Sequence, residues 1–232
     1  MQRAIRIVSI MLITAGLVVL ADAGLTLVWQ EPFSAAYGAF KQSQAADQLD
    51  QLETHYPTRA DLAAIADVKG TAAKARVLAN RFEPHLIRGH GIGRIKIDAI
   101  GLNMVVVQGT DTSSLEKGPG HYANTPLPGQ PGTVAIAGHR TTYLAPFRHI
   151  DELDSGDQIQ IEMPYAAFRY TMYRHEVVDP GDVGIIKPIG FDQLVLTSCH
   201  PPYSAAHRYA VFAKLTRIDL FAIGGEGRAP PP

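Results

Sequence analysis

Hydrophobic residues recur with different periods in successive parts of the chain. From Ile7 to Val28 they run almost unbroken, interrupted by one charge, Asp22. As a helix these 22 residues span ~33 Å, close to the ~30 Å hydrocarbon core of a bilayer. Arg3 and Arg6 precede the run, and Trp29, Glu31 and Pro32 come after it. Cations before the span and an aromatic at its far boundary predict a single-pass membrane anchor, with the N-terminus cytoplasmic and the remainder extracellular. Ala21-Asp22-Ala23 has the small-x-small form of a signal-peptide cleavage site, so a cleaved leader is the competing reading. The apolar run continues past it to Trp29, longer than a signal core, which favours a retained anchor.

Over residues 33–83 the spacing becomes helical. Phe33, Tyr37, Phe40, Leu49, Leu52 and Tyr56 stand among Gln, Asp and Ala, Pro57-Thr58 breaks the run, and a second begins at Asp61-Leu62 and continues through Phe82. Two helices are predicted, forming a juxtamembrane stalk or a hairpin against the wall of the C-terminal globular part.

Beyond residue 91 the period shortens to two. Ile95 and Ile97 alternate with Arg94, Lys96 and Asp98, and Ile159, Ile161 and Met163 alternate with Gln158, Gln160 and Glu162. Met104 to Val107 and Phe168 to Val178 add strands, as do short apolar runs ending near residues 137, 197 and 215. Turns are marked at residues 100–103, 127–132 and 155–157. Seven or eight strands result, and a single barrel is their natural closure. Phe147, Ile150 and Leu153, three apart, predict a short helix within Thr141 to Leu153. The Gly/Pro-rich end reads as a disordered tail. The chain thus divides into 1–30 (tip and anchor), 31–86 (stalk), 87–222 (barrel) and 223–232 (tail).

Composition, 46% hydrophobic and 19% charged over 232 residues, suits one globular domain with appendages. The formal charge of −1 without a basic block argues against nucleic acid as a partner. A single cysteine excludes an internal disulfide but does not fix the compartment. Arg88-Gly89-His90-Gly91-Ile92-Gly93 is glycine-rich, yet it precedes a strand instead of joining a strand to a helix, so it is not a phosphate loop.

The candidate chemistry gathers at strand ends. Leu194-Val195-Leu196-Thr197 reads as a buried strand, and the prolines after His200 stop it just behind Cys199. A lone cysteine is more often a small buried hydrophobe. Here Thr133 to Ala137 is another short strand leading past Gly138 to His139, and Arg208 opens the next apolar run. A thiol needs a histidine to remove or share its proton, and acyl chemistry needs a fixed cation or N–H donor for the developing oxyanion. Zinc binding by Cys199, His200, His207 and His139 is a noncatalytic alternative. Adjacent strand residues diverge, however, which is awkward for one tetrahedral centre.

Leu196-Thr197-Ser198-Cys199 resembles the T-L-x-T-C strand of the sortases, membrane-anchored cysteine transpeptidases of Gram-positive bacteria, with Val195 and Ser198 where Thr is usual. Gly138-His139-Arg140 resembles the family's histidine motif, Arg208 falls where its arginine is expected, and the match covers roughly residues 90–220. Gly118-Pro119-Gly120-His121-Tyr122 and the Cys-His-Pro continuation look most like the class E sortases of actinobacteria. The resemblance implies a mainly β, eight-stranded sortase barrel with short helices. It implies His139, Cys199 and Arg208 as catalytic residues, and Tyr122, Thr197, Ser198 and His200 as substrate-binding residues. His55, His85, His149, His175 and His207 are expected at the surface or in packing. The implied reaction cleaves a C-terminal sorting signal of the LAXTG or LPXTG type between Thr and Gly, through a Cys thioester, and passes the protein to a cell-wall amine. Implied partners are secreted proteins bearing such signals, a cell-wall precursor or peptidoglycan amine, and membrane lipid. No cofactor or metal is implied. An L,D-transpeptidase would also join Cys and His on a sheet, but its Ser-x-Gly-Cys motif differs from Thr197-Ser198-Cys199-His200.

Overall fold

Strand alternation and helical spacing both appear in the three-dimensional arrangement, a computed structural model that describes residues 2–28 and 32–221. Trp29, Glu31 and the tail 223–232 lie outside the described residues. Helix α1 (Gln2–Val28) carries the apolar N-terminal run, and its stretch Gln2–Gly24 is long and apolar enough to cross a membrane. Its large side chains, such as Leu12 and Leu20, are exposed, with no protein packed around them.

Three further α-helices lie between α1 and the sheet. In α2 (Pro32–His55), Ala45 and Leu49 bury themselves against Val105 and Val107 of the barrel wall. The second predicted helix is divided into α3 (Arg59–Ala64) and α4 (Thr71–Phe82), because Gly70 turns the chain at φ 87°. Thr58 caps α3 through a reciprocal box with Asp61, and Asp61 also takes an ion pair at 2.5 Å from Arg81 of α4. Ala75, Leu78, Ala79 and Phe82 of α4 enter the main core, so α4 packs along the barrel wall.

The strands are β1 (Gly91–Ile97), β2 (Leu102–Gln108), β3 (Gly120–His121), β4 (Thr133–Ala137), β5 (Gln158–Met163), β6 (Ala166–Val178), β7 (Gln193–His200) and β8 (His207–Leu220). They close as a barrel in the order β1-β2-β3-β4-β7-β8-β6-β5. A one-turn helix, α5 (Thr112–Leu115), lies between β2 and β3. The β2–β3 and β4–β7 neighbours run parallel and the others antiparallel. Ile95, Ile97, Ile136, Ile161, Phe168, Leu194, Leu196 and Val211 fill the interior. The helix expected between Thr141 and Leu153 is not formed. Tyr143, Leu144 and Ala145 have φ of 49°, 66° and 42°, which ends any right-handed helix before it starts. Only a short 3₁₀ turn, Ile150–Glu152, remains. Phe147, Ile150 and Leu153 are nevertheless buried: the loop delivers them to the core without a helix.

Candidate active site

The β4–β7 and β7–β8 pairings set the geometry. Ala137 stands opposite Thr197 in the parallel β4–β7 ladder, and the Gly138 N–H continues it to the Thr197 carbonyl at 3.0 Å. His139 and Cys199 each come two residues later, on strands ~4.8 Å apart. Antiparallel β8 then sets Arg208 directly opposite Cys199. Three groups separated by up to 69 residues (208 minus 139) therefore meet at one rim of the barrel.

Alternation along β7 sorts its other residues. Leu194 and Leu196 belong to the interior core, whereas Val195 packs with Ala135, Ala210 and Phe212 in a separate cluster on the outer face. Cys199 and Thr197 share the outer parity with Val195, and Ser198 and His200 take the inner one. Tyr122 reaches the outer side: its hydroxyl lies 3.0 Å from Thr197 Oγ1, and its ring packs on the outer cluster. Ile185 and Ile186, from a 3₁₀ turn at Val183–Ile186, pack on the same cluster. This buried apolar cluster therefore lies on the same face of β7 as the half-buried thiol.

By strand parity Ser198 and His200, both expected to bind substrate, project to the inner face, opposite the thiol. Ser198 is buried, its hydroxyl without a hydrogen-bond partner, and it pairs with Tyr209 on the inner face. His200 is the last residue of β7, and Nη1 of Arg140 lies 3.1 Å from its Nδ1. A guanidinium only donates, so His200 Nδ1 accepts and its ring proton sits on Nε2. Arg140 is itself buried, ion-paired to Asp151 at 2.5 Å and lying over the Tyr209 ring at 5.6 Å. This network braces the inner side of the rim. In sequence Arg140 stands out only as the last member of Gly138-His139-Arg140, three residues past the end of β4.

His139 is half-buried, and its Nε2 is buried without a hydrogen-bond partner. Burial pulls its pKa below the ordinary imidazole value, and the Glu116 carboxylate partly opposes this. Burial thus favours the neutral ring, the form able to take a proton. The Tyr143 ring lies 5.1 Å from it. Gly138 leaves room for the loop's return: a Cβ there would sit 2.5 Å from the Phe147 ring, whose backbone N–H bonds back to the His139 carbonyl at 3.0 Å. Arg208 Nη1 donates to the carbonyls of Ala205 and His207, at 3.1 and 3.0 Å, which folds the short β7–β8 loop around its own guanidinium. The zinc alternative loses its centre, because Cys199 and His200 face opposite sides. Among the described residues no three His, Cys, Asp or Glu side chains are grouped to hold a metal.

The sortase domain family model matches residues 95–216. Sortase D of Bacillus subtilis is 30% identical over 219 residues, covering 90% of this chain and 98% of that protein. Sortase SrtE1 of Streptomyces coelicolor is 31% identical over 150 residues, 58% of this chain and 42% of its own length. Among solved structures, a Clostridium perfringens sortase D5 transpeptidase aligns with a TM-score of 0.61 at 26% identity, over 75% of this chain and 99% of its own. Sortase E from Streptomyces avermitilis aligns with a TM-score of 0.55 at 34% identity, over 62% of this chain and 97% of its own.

Proposed function

This chain belongs to the sortase family of transpeptidases, and on that premise we propose that it cleaves a C-terminal LAXTG or LPXTG signal between Thr and Gly and transfers the protein to a cell-wall amine. The observation that carries this reading is the strand register, with Cys199 opposite Arg208 and the β4 end bearing His139 alongside. His139 takes the proton of the Cys199 thiol and becomes an imidazolium; the thiolate attacks the threonine carbonyl carbon, and negative charge moves to the carbonyl oxygen. The guanidinium of Arg208 stabilises that charge, keeping its own charge at any working pH. As the C–N bond breaks, the imidazolium of His139 gives its proton to the departing glycine amine, leaving a Cys199 thioester. An incoming amine then attacks the thioester, His139 takes its proton, and the thiolate leaves as the new amide forms. Tyr122 and Thr197 hold the signal on the thiol's side. The membrane anchor keeps the enzyme beside secreted substrates and wall precursors at the cell surface.

The test is turnover of fluorogenic LAXTG and LPXTG peptides by the full chain in detergent, with and without an acceptor amine. Cys199→Ala abolishes turnover, and Arg208→Lys lowers it by ~10²-fold or more, because one ammonium cannot replace the fork of N–H donors. Folded wild-type protein that labels fully at Cys199 yet cuts neither peptide would end this assignment.

A further inference from the structure

The loop after His139 contains the most strained backbone in the described chain. Three consecutive non-glycine residues, Tyr143, Leu144 and Ala145, are left-handed, and the Ala145 N–H closes the turn on the Thr142 carbonyl at 2.8 Å. A left-handed residue with a Cβ costs ~1–2 kcal/mol, and such residues ordinarily occur singly. A run of three persists only where its surroundings hold it.

What holds it comes from the start of the juxtamembrane helix. Gly38 of α2 is buried, and a Cβ there would lie 3.1 and 3.2 Å from the Tyr143 carbonyl carbon and Cα, and 3.3 Å from Leu144 Cγ. Helix and turn therefore meet backbone to backbone. Ser34, one helical turn earlier, accepts the Tyr143 N–H at 3.3 Å, and the Tyr37 ring meets the Tyr143 ring edge-on at 6.4 Å. On its other side Tyr143 donates to Glu116 at 3.4 Å and packs against the His139 ring at 5.1 Å. Ser34, Tyr37 and Gly38 thus reach His139 through one intervening side chain. A glycine inside a helix costs ~1 kcal/mol relative to Ala, and here the missing side chain makes room for the turn.

We propose that the first two turns of α2 belong to the catalytic apparatus: Ser34, Tyr37 and Gly38 clamp the left-handed turn at 143–145, and Tyr143 acts as a positioning residue that fixes the His139 ring. The inference rests on the role proposed above for His139. It makes the segment joining anchor to barrel a determinant of rate, beyond its use as a tether.

The experiment compares full-length wild type, Gly38→Leu, Tyr143→Ala, Tyr143→Phe, His139→Ala as the reference for a lost imidazole and, as a control, Ser43→Leu on the exposed side of α2. It reads peptide kcat and KM, thermal midpoint, and the iodoacetamide alkylation rate of Cys199, the chain's one thiol. Gly38→Leu and Tyr143→Ala are expected to lower kcat ~10- to ~100-fold, as small misplacements of catalytic groups do, with KM within about twofold. Their alkylation rates move toward that of His139→Ala, Tyr143→Phe restores most of the loss by keeping the ring, and Ser43→Leu matches wild type. Unchanged kcat and alkylation in Gly38→Leu and Tyr143→Ala would overturn the proposal, as would losses only in proportion to unfolding. If Gly38→Leu does not fold, Tyr143→Ala, which leaves the helix untouched, decides. If wild type cuts no peptide, the functional assignment fails separately, and the alkylation rates still decide whether α2 sets His139.

Discussion

His121, next to the tyrosine expected to meet substrate, is a buried framework residue. Its Nδ1 lies 2.9 Å from Gln108 Oε1 and its Nε2 3.1 Å from the Pro126 carbonyl. Burial pushes its pKa down to about 4, with the Pro126 carbonyl acting in the opposite direction. The unfolded chain therefore binds a proton near pH 6.5 that the folded chain refuses until about pH 4. Stability is full above pH 6.5 and falls with pH across that window, by ~3 kcal/mol for this residue, and His139 shifts in the same direction. Urea unfolding at pH 7.5 and pH 4.5 should show this loss, and His121→Gln should remove most of the slope. A slope that survives intact in the variant would place its source elsewhere. At this scale Cys199, His139 and Arg208 are legible in the sequence because each stands at the end of a short apolar run. Arg140 and Tyr143 follow His139 within a few residues, but a charge or a tyrosine in a loop carries no local mark of what it will be folded against.

Helix α2 resembles a spacer in sequence because its polar residues dominate, yet one of them ties it to the sheet. Gln42 accepts the Val105 N–H through Oε1 and donates through Nε2 to the carbonyls of Lys117 and Val105. Val105 is buried, so removing the amide leaves its backbone N–H unsatisfied. Gln42→Ala in the full chain is expected to lower unfolding free energy by ~1–3 kcal/mol. A change under ~0.5 kcal/mol in chemical denaturation would mean that α2 is not docked on β2 as described. The strands themselves are readable from their period-two alternation. The two-residue β3 and the loop after β4 are not: one is too short to show a period, and the other spaces Phe147, Ile150 and Leu153 like a helix while its left-handed turn forbids one. Burial fixes only where those three side chains end, and a loop closed by the Phe147-to-His139 backbone bond meets that requirement too.

Across the whole molecule, an exposed apolar helix at the N-terminus stands beside a barrel whose own apolar residues are largely buried. The full chain is expected to sediment with membranes and to resist high-salt and alkaline extraction, and removal of residues 1–28 should release it. A mature chain whose measured mass begins after Ala23 would instead establish a cleaved leader. Sequence alone determined the apolar segment, the alternating strands and the residue types available for acyl transfer, because each is written within a few neighbouring positions as a local period or a chemical identity. Only the tertiary structure decided which of these groups meet. The β4–β7–β8 register brings His139, Cys199 and Arg208 to one rim, strand parity turns Ser198 and His200 away from the thiol's face, and α2 grips the turn behind His139. Register, parity and docking are properties of segments distant in sequence, and packing one against another, not the order of residues within either, selects them.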